Sequence, residues 1–291
     1  MRNDFGVFIL SHGRPDKVHT YKTIRETGYT GKIWIVVDNE DKTIDQYRKI
    51  YGDQIVVFDK AAVAKWTDDG DNWGHRRSVL YARNAAWDVA AQVGVRLFIV
   101  FDDDYTSFWL RYDEKLEYAS IQIRSHMDDV LEAMLEFYEK TPVLSFAMSQ
   151  GGDHIGGGGT EDNPGGQATP GLRRKAMNSF ICSVDRRFDF MARMNDDTTT
   201  YLVRTLRGEL FFTLLHTMLV QLPTQQNAGG LTELYLDHGT YVKTFYSVMF
   251  APSCVKIGEM GEEHARIHHE INWHRTAPKI LRESHKKNLF E

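Results

Sequence analysis

Val95-Arg96-Leu97-Phe98-Ile99-Val100-Phe101-Asp102-Asp103-Asp104 is the stretch of sequence that decides the fold. Its first seven residues are apolar except for Arg96, which is typical of a strand buried on both faces of a parallel sheet. Ligands of open α/β sheets bind beyond the carboxyl ends of the strands, and three carboxylates follow this one. They repel one another unless a cation or donor groups compensate their charge. The simplest partner is a hard divalent cation with oxygen ligands, so the stretch indicates a metal-bound nucleotide diphosphate.

The composition bounds the class of protein. The chain has 291 residues, of which 42% are hydrophobic and 26% charged, as in a globular protein with a full core. No apolar run approaches the roughly 20 residues of a membrane helix, and the run Phe5–Leu10 is too short for a signal peptide. The net charge of −5 argues against nucleic-acid binding over the whole surface. Two cysteines without a spacing pattern indicate no disulfide framework, so we expect a cytoplasmic protein.

Strand and helix patterns alternate through the first half of the chain. A helical pattern follows each of the first three predicted strands, and glycines at 28, 52 and 94 end these helices. The strands are predicted over 5–11, 32–38, 54–60 and 95–101, with helices from Pro15, over 41–51 and over 75–93. This βαβαβαβ order predicts an α/β protein with a mostly parallel, right-handed wound sheet.

The second half has a less regular pattern. It predicts a helix after Ser125, one helix over Leu231–Phe250, and a Gly-rich segment at 150–171. That segment is longer than an ordinary connection, which favours either a lid over the substrate or a surface loop. Strands are predicted over Phe108–Lys115, Val143–Ser149, Met177–Val184 and Glu209–Leu222, with a short helix over Thr198–Arg207.

The aspartates form an Asp-x-Asp pattern. Asp102 and Asp104 share one face of the strand, because successive side chains of a strand point to opposite sides. We interpret this pair as the ligands of a metal and a diphosphate. The alternative is a solvated turn that is merely rich in aspartate.

Polar residues near the same sheet edge are candidates for nucleotide binding. Arg83-Asn84 lies on the preceding helix, and Arg76 is one heptad earlier on the same predicted flank. In Ser11-His12-Gly13-Arg14-Pro15, the first strand-to-helix turn, Gly13 permits close approach of the backbone to phosphate. Asp38 ends the second strand, where an acidic residue commonly meets a ribose or base. The alternatives are a surface salt bridge for Arg83 and turn or cap chemistry for the others.

Two later groups are candidates for proton transfer and metal binding. Asn195-Asp196-Asp197-Thr198 opens a predicted helix, where an aspartate serves either as a cap or as a general base toward an acceptor hydroxyl. The histidines at 264, 268, 269 and 274 lack the His-Glu-x-x-His pattern of zinc proteases. One of them fits as a further ligand of the aspartate-bound metal, although each is more often structural.

Together these residues resemble the GT-A-fold glycosyltransferases. That family places Asp-x-Asp after a nucleotide-binding half, as at Asp102–Asp104, and often has an Arg-Asn-like pair on the preceding helix. Its inverting members carry an acidic pair at the start of a late helix, to which Asp196-Asp197 is similar. The TET-associated glycosyltransferases of bacteriophages are a narrower resemblance, over roughly residues 5 to 285. It is carried by Ile9–Pro15, Gly28–Lys32, Ile267–His269 and Pro278–Leu281.

The resemblance implies a single GT-A-like domain over 1–291, with a nucleotide-sugar-binding half at 1–115 and an acceptor half at 116–291. It implies sugar transfer from a UDP-sugar to 5-hydroxymethylpyrimidine, as in 5-hydroxymethylcytosine of phage DNA, in the host cytoplasm. Asp102 and Asp104 would hold Mn²⁺ or Mg²⁺, with His268 or His269 as the late ligand. Asp197, or else Asp196, would be the base. The implied nucleotide-sugar site comprises Ser11, Gly13, Arg14, Asp38, Arg76, Arg83, Asn84, Asp102 and Asp103.

Two other functions compete with this interpretation. A nucleotidyltransferase uses similar aspartates but usually has a Gly-rich basic loop after the first strand, which Ser11–Arg14 matches poorly. A non-catalytic nucleic-acid-binding module would be expected to have lost the aspartates, and they are intact at Asp102–Asp104.

Overall fold

The computed structural model describes residues 1–150, 176, 178–222, 231–239, 241–260, 265–276, 280 and 282–285. The Gly-rich segment lies outside the described residues except for Gln150, and so do His264 and most of Pro278–Leu281. Within the described ranges, no helix has the length and apolar character needed to cross a membrane.

Nine strands of the described residues form one central sheet. They are β1 (Phe5–Leu10), β2 (Lys32–Asp38), β3 (Ile55–Phe58), β4 (Leu97–Asp102), β5 (Tyr105–Tyr112), β6 (Tyr118–Gln122), β7 (Ser145–Ser149), β8 (Ser179–Ser183) and β9 (Phe211–Gln221), in the order β3-β2-β1-β4-β8-β7-β9-β5-β6. The first four strands are parallel, as the alternating pattern predicts. Beyond β4 the sheet is mixed: β7 and β9 are parallel, whereas β8 and β5 run antiparallel to their neighbours.

Helices cover the two faces of this sheet. They are α1 (His19–Glu26), α2 (Ile44–Tyr51), α3 (Lys60–Ala64), α4 (Leu80–Val93), α5 (Met127–Lys140), α6 (Asp196–Leu206), α7 (Leu231–His238), α8 (Val242–Phe250) and α9 (Trp273–Thr276). A separate antiparallel hairpin consists of β10 (Val255–Met260) and β11 (Arg266–Ile271).

The sheet separates two hydrophobic cores, because successive side chains of a strand point to opposite faces. Along β1, Phe8 and Leu10 belong to the core that α4 covers, whereas Val7 and Ile9 belong to the core with α1 and α5. All of β1 is buried, and so is β4 except for its final aspartate. Polar chemistry is therefore confined to the strand ends, and the carboxyl ends of β1 to β4 meet at one edge.

The helix α4 begins later than the sequence pattern predicts. It starts at Leu80 instead of His75, so Arg76 lies in a segment without regular secondary structure and not on a helical flank with Arg83. The Oγ atom of Ser78 accepts a hydrogen bond from Leu80 N at 3.1 Å and thereby satisfies one free N–H of the first turn. A heptad argument that placed Arg76 beside Arg83 was therefore wrong.

The predicted helix Leu231–Phe250 is divided into α7 and α8. The break follows Gly239, whose backbone has a φ of +78°, a left-handed conformation that ends helices. The apolar periodicity continues across this glycine, which is why the pattern alone predicted one helix.

Asn84 of α4 holds the segment that leads into α6. The side chain is fully buried. Its Nδ2 donates to the carbonyl oxygen of Phe190 at 3.0 Å and to Thr67 Oγ1 at 3.1 Å, while Oδ1 accepts from Phe190 N at 2.7 Å. The amide of Asn84 thus forms its hydrogen bonds with protein groups, so Asn84 is not placed for the expected contact with the nucleotide.

Replacing Asn84 by alanine should lower the free energy of unfolding by about 1–3 kcal/mol, because the buried N–H and C=O of Phe190 lose these partners. Urea denaturation measures the difference. The matched control is Asn3→Ala, at an exposed position. An unfolding midpoint equal to that of the control would contradict this role of Asn84.

Candidate active site

The turn after β4 carries the three aspartates. Asp102 is the last residue of β4, and β5 begins at Tyr105. Thr20 of α1 fixes the turn, because its N–H donates to the carbonyl oxygen of Asp103 at 3.1 Å and its Oγ1 to that of Asp102 at 2.6 Å. The same Oγ1 accepts a hydrogen bond from Tyr105 N at 2.9 Å. Helix α1 therefore holds the backbone of the turn in one conformation.

Asp103 faces the end of β1 and is fully buried. Arg14 binds it as a bidentate pair, with Nε and Nη2 each 2.7 Å from a carboxylate oxygen, and Ser11 Oγ donates at 2.6 Å. The structure thus brings three predicted site residues together, but their polar atoms bind one another. They anchor the turn after β1 to the aspartate turn.

Asp38 is buried at the end of β2 and is also held by protein groups. Its Oδ2 lies 2.7 Å from His12 Nδ1 and 3.2 Å from Lys60 Nζ. Burial alone would raise the pKa of Asp38, but the hydrogen bond from His12 and the charge of Lys60 lower it. The same hydrogen bond raises the pKa of His12. Gly13, with φ +71°, donates its N–H to Asp41 at 2.6 Å, which completes this rigid turn.

A cleft of about 340 Å³ opens beside these residues. His12, Glu40 and Lys60 line it from the ends of β1, β2 and β3, and the segment Gly74–Arg77 forms its opposite wall. Arg76 of that wall binds Glu40, with Nε 2.8 Å from Oε1. Arg76 therefore borders the predicted sheet edge, although it does so from a segment without regular secondary structure.

Arg83 bridges the aspartate turn and the acidic pair of α6. Its guanidinium is buried, with Nη1 2.6 Å from Asp196 Oδ2 and Nη2 3.2 and 3.3 Å from the two oxygens of Asp102. Its carbon lies 5.3 Å from the ring centre of Phe180. Burial opposes the charge of Arg83, but Asp196 and Asp102 outweigh this and raise its pKa, so the guanidinium stays charged. Burial also raises the pKa of Asp196, and Arg83 only partly offsets that effect.

Asp104 has no comparable partner. Its Oδ1 is buried without a hydrogen-bond partner in the described part of the chain, and none of those residues forms an ion pair with it. Burial and the negative charges of Asp102 and Asp103 raise the pKa of Asp104 to about 7. A buried carboxylate oxygen in this state is suited to binding a divalent cation, which would restore its charge.

Asp197 is the second acidic residue of α6 and is nearly buried. Its Oδ1 accepts a hydrogen bond from Thr198 N at 2.6 Å, and no ion pair reaches it within the described ranges. Burial raises the pKa of Tyr235 in α7 to about 12, and the negative charges of Asp197 and Asp196 add to this effect. Asp197 is therefore a buried carboxylate that forms no ion pair with any described residue.

The two predicted histidine ligands lie on β11, next to the start of α6. His269 Nδ1 is 3.1 Å from Ser247 Oγ and 3.4 Å from Nδ2 of Asn195, the residue before the acidic pair. His268 Nδ1 is 2.8 Å from the carbonyl oxygen of His269. No group of three or more His, Cys, Asp or Glu side chains in the described ranges is arranged to hold a metal. The histidines are thus not assembled with Asp102 and Asp104, and their role as ligands stays a prediction.

Three residues of this region were not predicted. Lys60 directly follows β3, so the sequence could have predicted its position at the edge where the parallel strands end. Arg193, which donates to the carbonyl oxygen of His75 in the cleft wall, and Tyr235 come from segments distant in sequence. No local pattern marks either of them, because their positions depend on how those segments pack.

A sequence profile of the family "TET-Associated Glycosyltransferase" matches residues 5–230. A comparison with curated proteins gives no match. This family match favours the glycosyltransferase interpretation over a nucleotidyltransferase or a non-catalytic module.

Several solved structures are similar to this chain at low sequence identity. The mannosyltransferase PcManGT from Pyrobaculum calidifontis, solved with GDP-Man and Mn²⁺, is 9% identical, with a TM-score of 0.45 over 86% of this chain and 62% of that one. S. aureus TarS is 9% identical, with a TM-score of 0.44 over 86% and 44%. Glucosyl-3-phosphoglycerate synthase from Mycobacterium tuberculosis, solved with Mn²⁺, UDP and phosphoglyceric acid, is 10% identical, with a TM-score of 0.44 over 92% and 87%. The chain spans less than two thirds of the first two proteins.

The family match covers most of the chain and includes the strand edge that carries the aspartates, the cleft and the acidic pair of α6. It confirms the resemblance seen in the sequence. The chain belongs to the TET-associated glycosyltransferase family.

Proposed function

We propose that the protein transfers a sugar from a nucleotide-sugar donor, a UDP-sugar, to the hydroxyl group of 5-hydroxymethylcytosine in phage DNA. One observation carries the proposal. Five carboxylates are gathered at one sheet edge, and two arginines neutralise three of them, which leaves Asp104 and Asp197 without ion pairs among the described residues. These two carboxylates suit the two tasks of the reaction, which are metal binding and deprotonation of the acceptor.

Asp104 and Asp102 are the residues that would hold Mn²⁺ or Mg²⁺. The unsatisfied Oδ1 of Asp104 and the concentration of negative charge fit a hard cation, and Arg83 keeps Asp102 in position beside it. When bound, the metal would neutralise the diphosphate that leaves the sugar. His269, the histidine nearer to α6, is the candidate for a later ligand.

The cleft beside His12 is the proposed place of the nucleoside. It lies at the carboxyl ends of β1, β2 and β3, next to the aspartate turn, which is where open α/β sheets bind nucleotides. Lys60 and Arg76 line it, and the hydrogen bond that His12 donates to Asp38 orients the imidazole. In this account Ser11, Arg14 and Asp103 bind one another and hold the aspartate turn against the turn after β1. Gly13 and Asp38 fix the conformation of the turn after β1.

Asp197 is the proposed general base. It would accept the proton of the acceptor hydroxyl as the hydroxyl oxygen bonds to the sugar and the bond from the sugar to the diphosphate breaks. Asp196 is less suited to this task, because its carboxylate is 2.6 Å from Arg83 and serves to fix the start of α6. A base inside a DNA duplex would have to be flipped out to reach Asp197.

Asp104→Ala should abolish metal-dependent UDP binding while the fold is retained, because the substitution removes the unsatisfied carboxylate and no apolar contact. Titration calorimetry with UDP, with and without Mn²⁺, measures this. Asp45→Ala, at a carboxylate that is 98% exposed on α2, is the control and should bind as the wild type does. Unchanged UDP affinity in Asp104→Ala would refute the site.

Asp197→Asn should keep donor binding and lose transfer by about 10²–10⁴-fold, the usual contribution of a general base. Initial rates and UDP affinity, measured on the same preparation, separate the two effects. Asp196→Asn is the comparison and should also lower stability, because it leaves Arg83 partly unpaired. Normal turnover in Asp197→Asn would place the base elsewhere.

The acceptor is tested by incubating the protein and Mn²⁺ with DNA that contains 5-hydroxymethylcytosine and a panel of nucleotide sugars. Mass spectrometry of the digested nucleosides should show the mass of one added sugar on 5-hydroxymethylcytosine only. DNA with unmodified cytosine and the Asp197→Asn variant are the controls. Unmodified nucleosides with every donor, from a protein that binds UDP, would exclude this acceptor.

A further inference from the structure

Arg193 is a buried arginine that the proposed reaction does not use. Its side chain is 1% exposed, and it precedes the acidic pair of α6 by only a few residues. Nε and Nη2 lie 2.7 and 2.9 Å from the two oxygens of Asp71, and Nη2 also donates to Asp69 at 2.7 Å. Nη1 donates to the carbonyl oxygen of His75. We call Arg193 with Asp69 and Asp71 the Arg193 clamp.

Backbone hydrogen bonds reinforce the clamp on both sides. Ala192 N and Arg193 N each donate to a carbonyl oxygen at 2.9 Å, the first to that of Asp68 and the second to that of Asp69. Ser78 Oγ donates to the carbonyl oxygen of Arg193 at 2.7 Å. The segment 68–78 is therefore tied to residues 192–193 at both of its ends.

Aromatic hydroxyl groups connect the clamp to two helices. Tyr81 of α4 donates to Asp69 at 2.8 Å, and Tyr246 of α8 donates to Asp71 at 2.5 Å. Trp73 lies between the clamp and α7, with its ring 5.8 Å from the guanidinium carbon and stacked on His238 at 4.1 Å. The clamp thus occupies the junction of the cleft wall with the helices around the acidic pair.

The two segments that the clamp joins belong to opposite sides of the proposed reaction. Gly74–Arg77 forms the wall of the cleft assigned to the nucleoside. Asn195, with a left-handed φ of 56°, leads directly into Asp196 and Asp197. A change in the path of residues 192–195 would therefore displace the general base and the cleft wall together.

Stability alone is a weak explanation for such a cluster. A buried ion pair contributes little more to the free energy of unfolding than well-packed apolar residues would, because both charges lose their hydration on burial. The N–H groups of the planar guanidinium point in fixed directions. They therefore hold two carboxylates and a carbonyl group in one relative geometry.

We propose that Arg193 is a positioning residue that keeps the nucleoside cleft and the general base in a fixed relation, so that donor binding and transfer depend on it together. The proposal rests on the function proposed above. It predicts that loosening the clamp affects both sides, although Arg193 is not among the residues that line the proposed nucleoside cleft.

The test compares Arg193→Lys, which keeps the charge but not the fork, and Arg193→Met with the control Arg186→Met in the full chain. Arg186 donates to the carbonyl oxygens of Tyr138, Thr141 and Val143, near the opposite edge of the sheet, and is a matched structural arginine. Arg193→Lys keeps the test open if Arg193→Met does not fold.

Both Arg193 variants should weaken Mn²⁺-dependent UDP binding and lower kcat, each by about tenfold or more, since small displacements at a reacting centre have effects of this size. Amide hydrogen exchange should become faster in residues 68–78 and 192–199 together. Arg186→Met should lose thermal stability while its UDP affinity and kcat stay within about twofold of the wild type, because it leaves this geometry intact.

Affinity and kcat unchanged in Arg193→Lys, or lost equally in Arg186→Met, would overturn the positioning role. If the wild type bound no nucleotide with or without Mn²⁺, the proposed function would be wrong, and hydrogen exchange would decide about the clamp independently. Faster exchange in only one of the two segments would show that Arg193 does not couple them.

Discussion

The site depends on how negative charge is balanced at one edge of the sheet. Asp102, Asp103 and Asp196 are each bound by a buried or half-buried arginine, and these pairs permit five carboxylates to share a small volume. Arg83 is the more important of the two cations, because it joins β4 to α6. In the proposed function, Asp104 and Asp197, which form no ion pair among the described residues, bind the cation and accept the proton.

The fold produces this arrangement through the parallel strands. Since β1 and β4 are buried on both faces, polar groups are possible only where the strands end, and parallel neighbours end at the same edge. Helix α1 then fixes the turn through Thr20, and α4 supplies Arg83 from the layer above. The binding edge is thus a direct consequence of the strand order, and loops contribute mainly the walls of the cleft.

The sequence predicted the features that depend on local pattern. The four parallel strands and the place of Asp102–Asp104 were correct, because long apolar runs and an acidic strand end leave few alternatives. Two predictions on helices failed: α4 begins at Leu80 instead of His75, and Gly239 interrupts a helix across which the apolar periodicity continues. The roles of single polar residues were harder to predict from the sequence. Arg14 and Asp103 lie where the sequence predicted them, but only the structure shows that they bind each other. Arg193 had no sequence signal, because its partners lie in a segment more than a hundred residues earlier.

We propose that a divalent cation and the donor's diphosphate bind at Asp104, whose Oδ1 has no hydrogen-bond partner among the described residues. Anomalous diffraction at the manganese edge, from crystals grown with Mn²⁺ and UDP, tests it most directly. The account predicts one strong manganese peak in contact with the Asp104 carboxylate and with phosphate oxygens of UDP. A peak elsewhere, or UDP bound away from this strand edge with Asp104 in contact with solvent only, would contradict it.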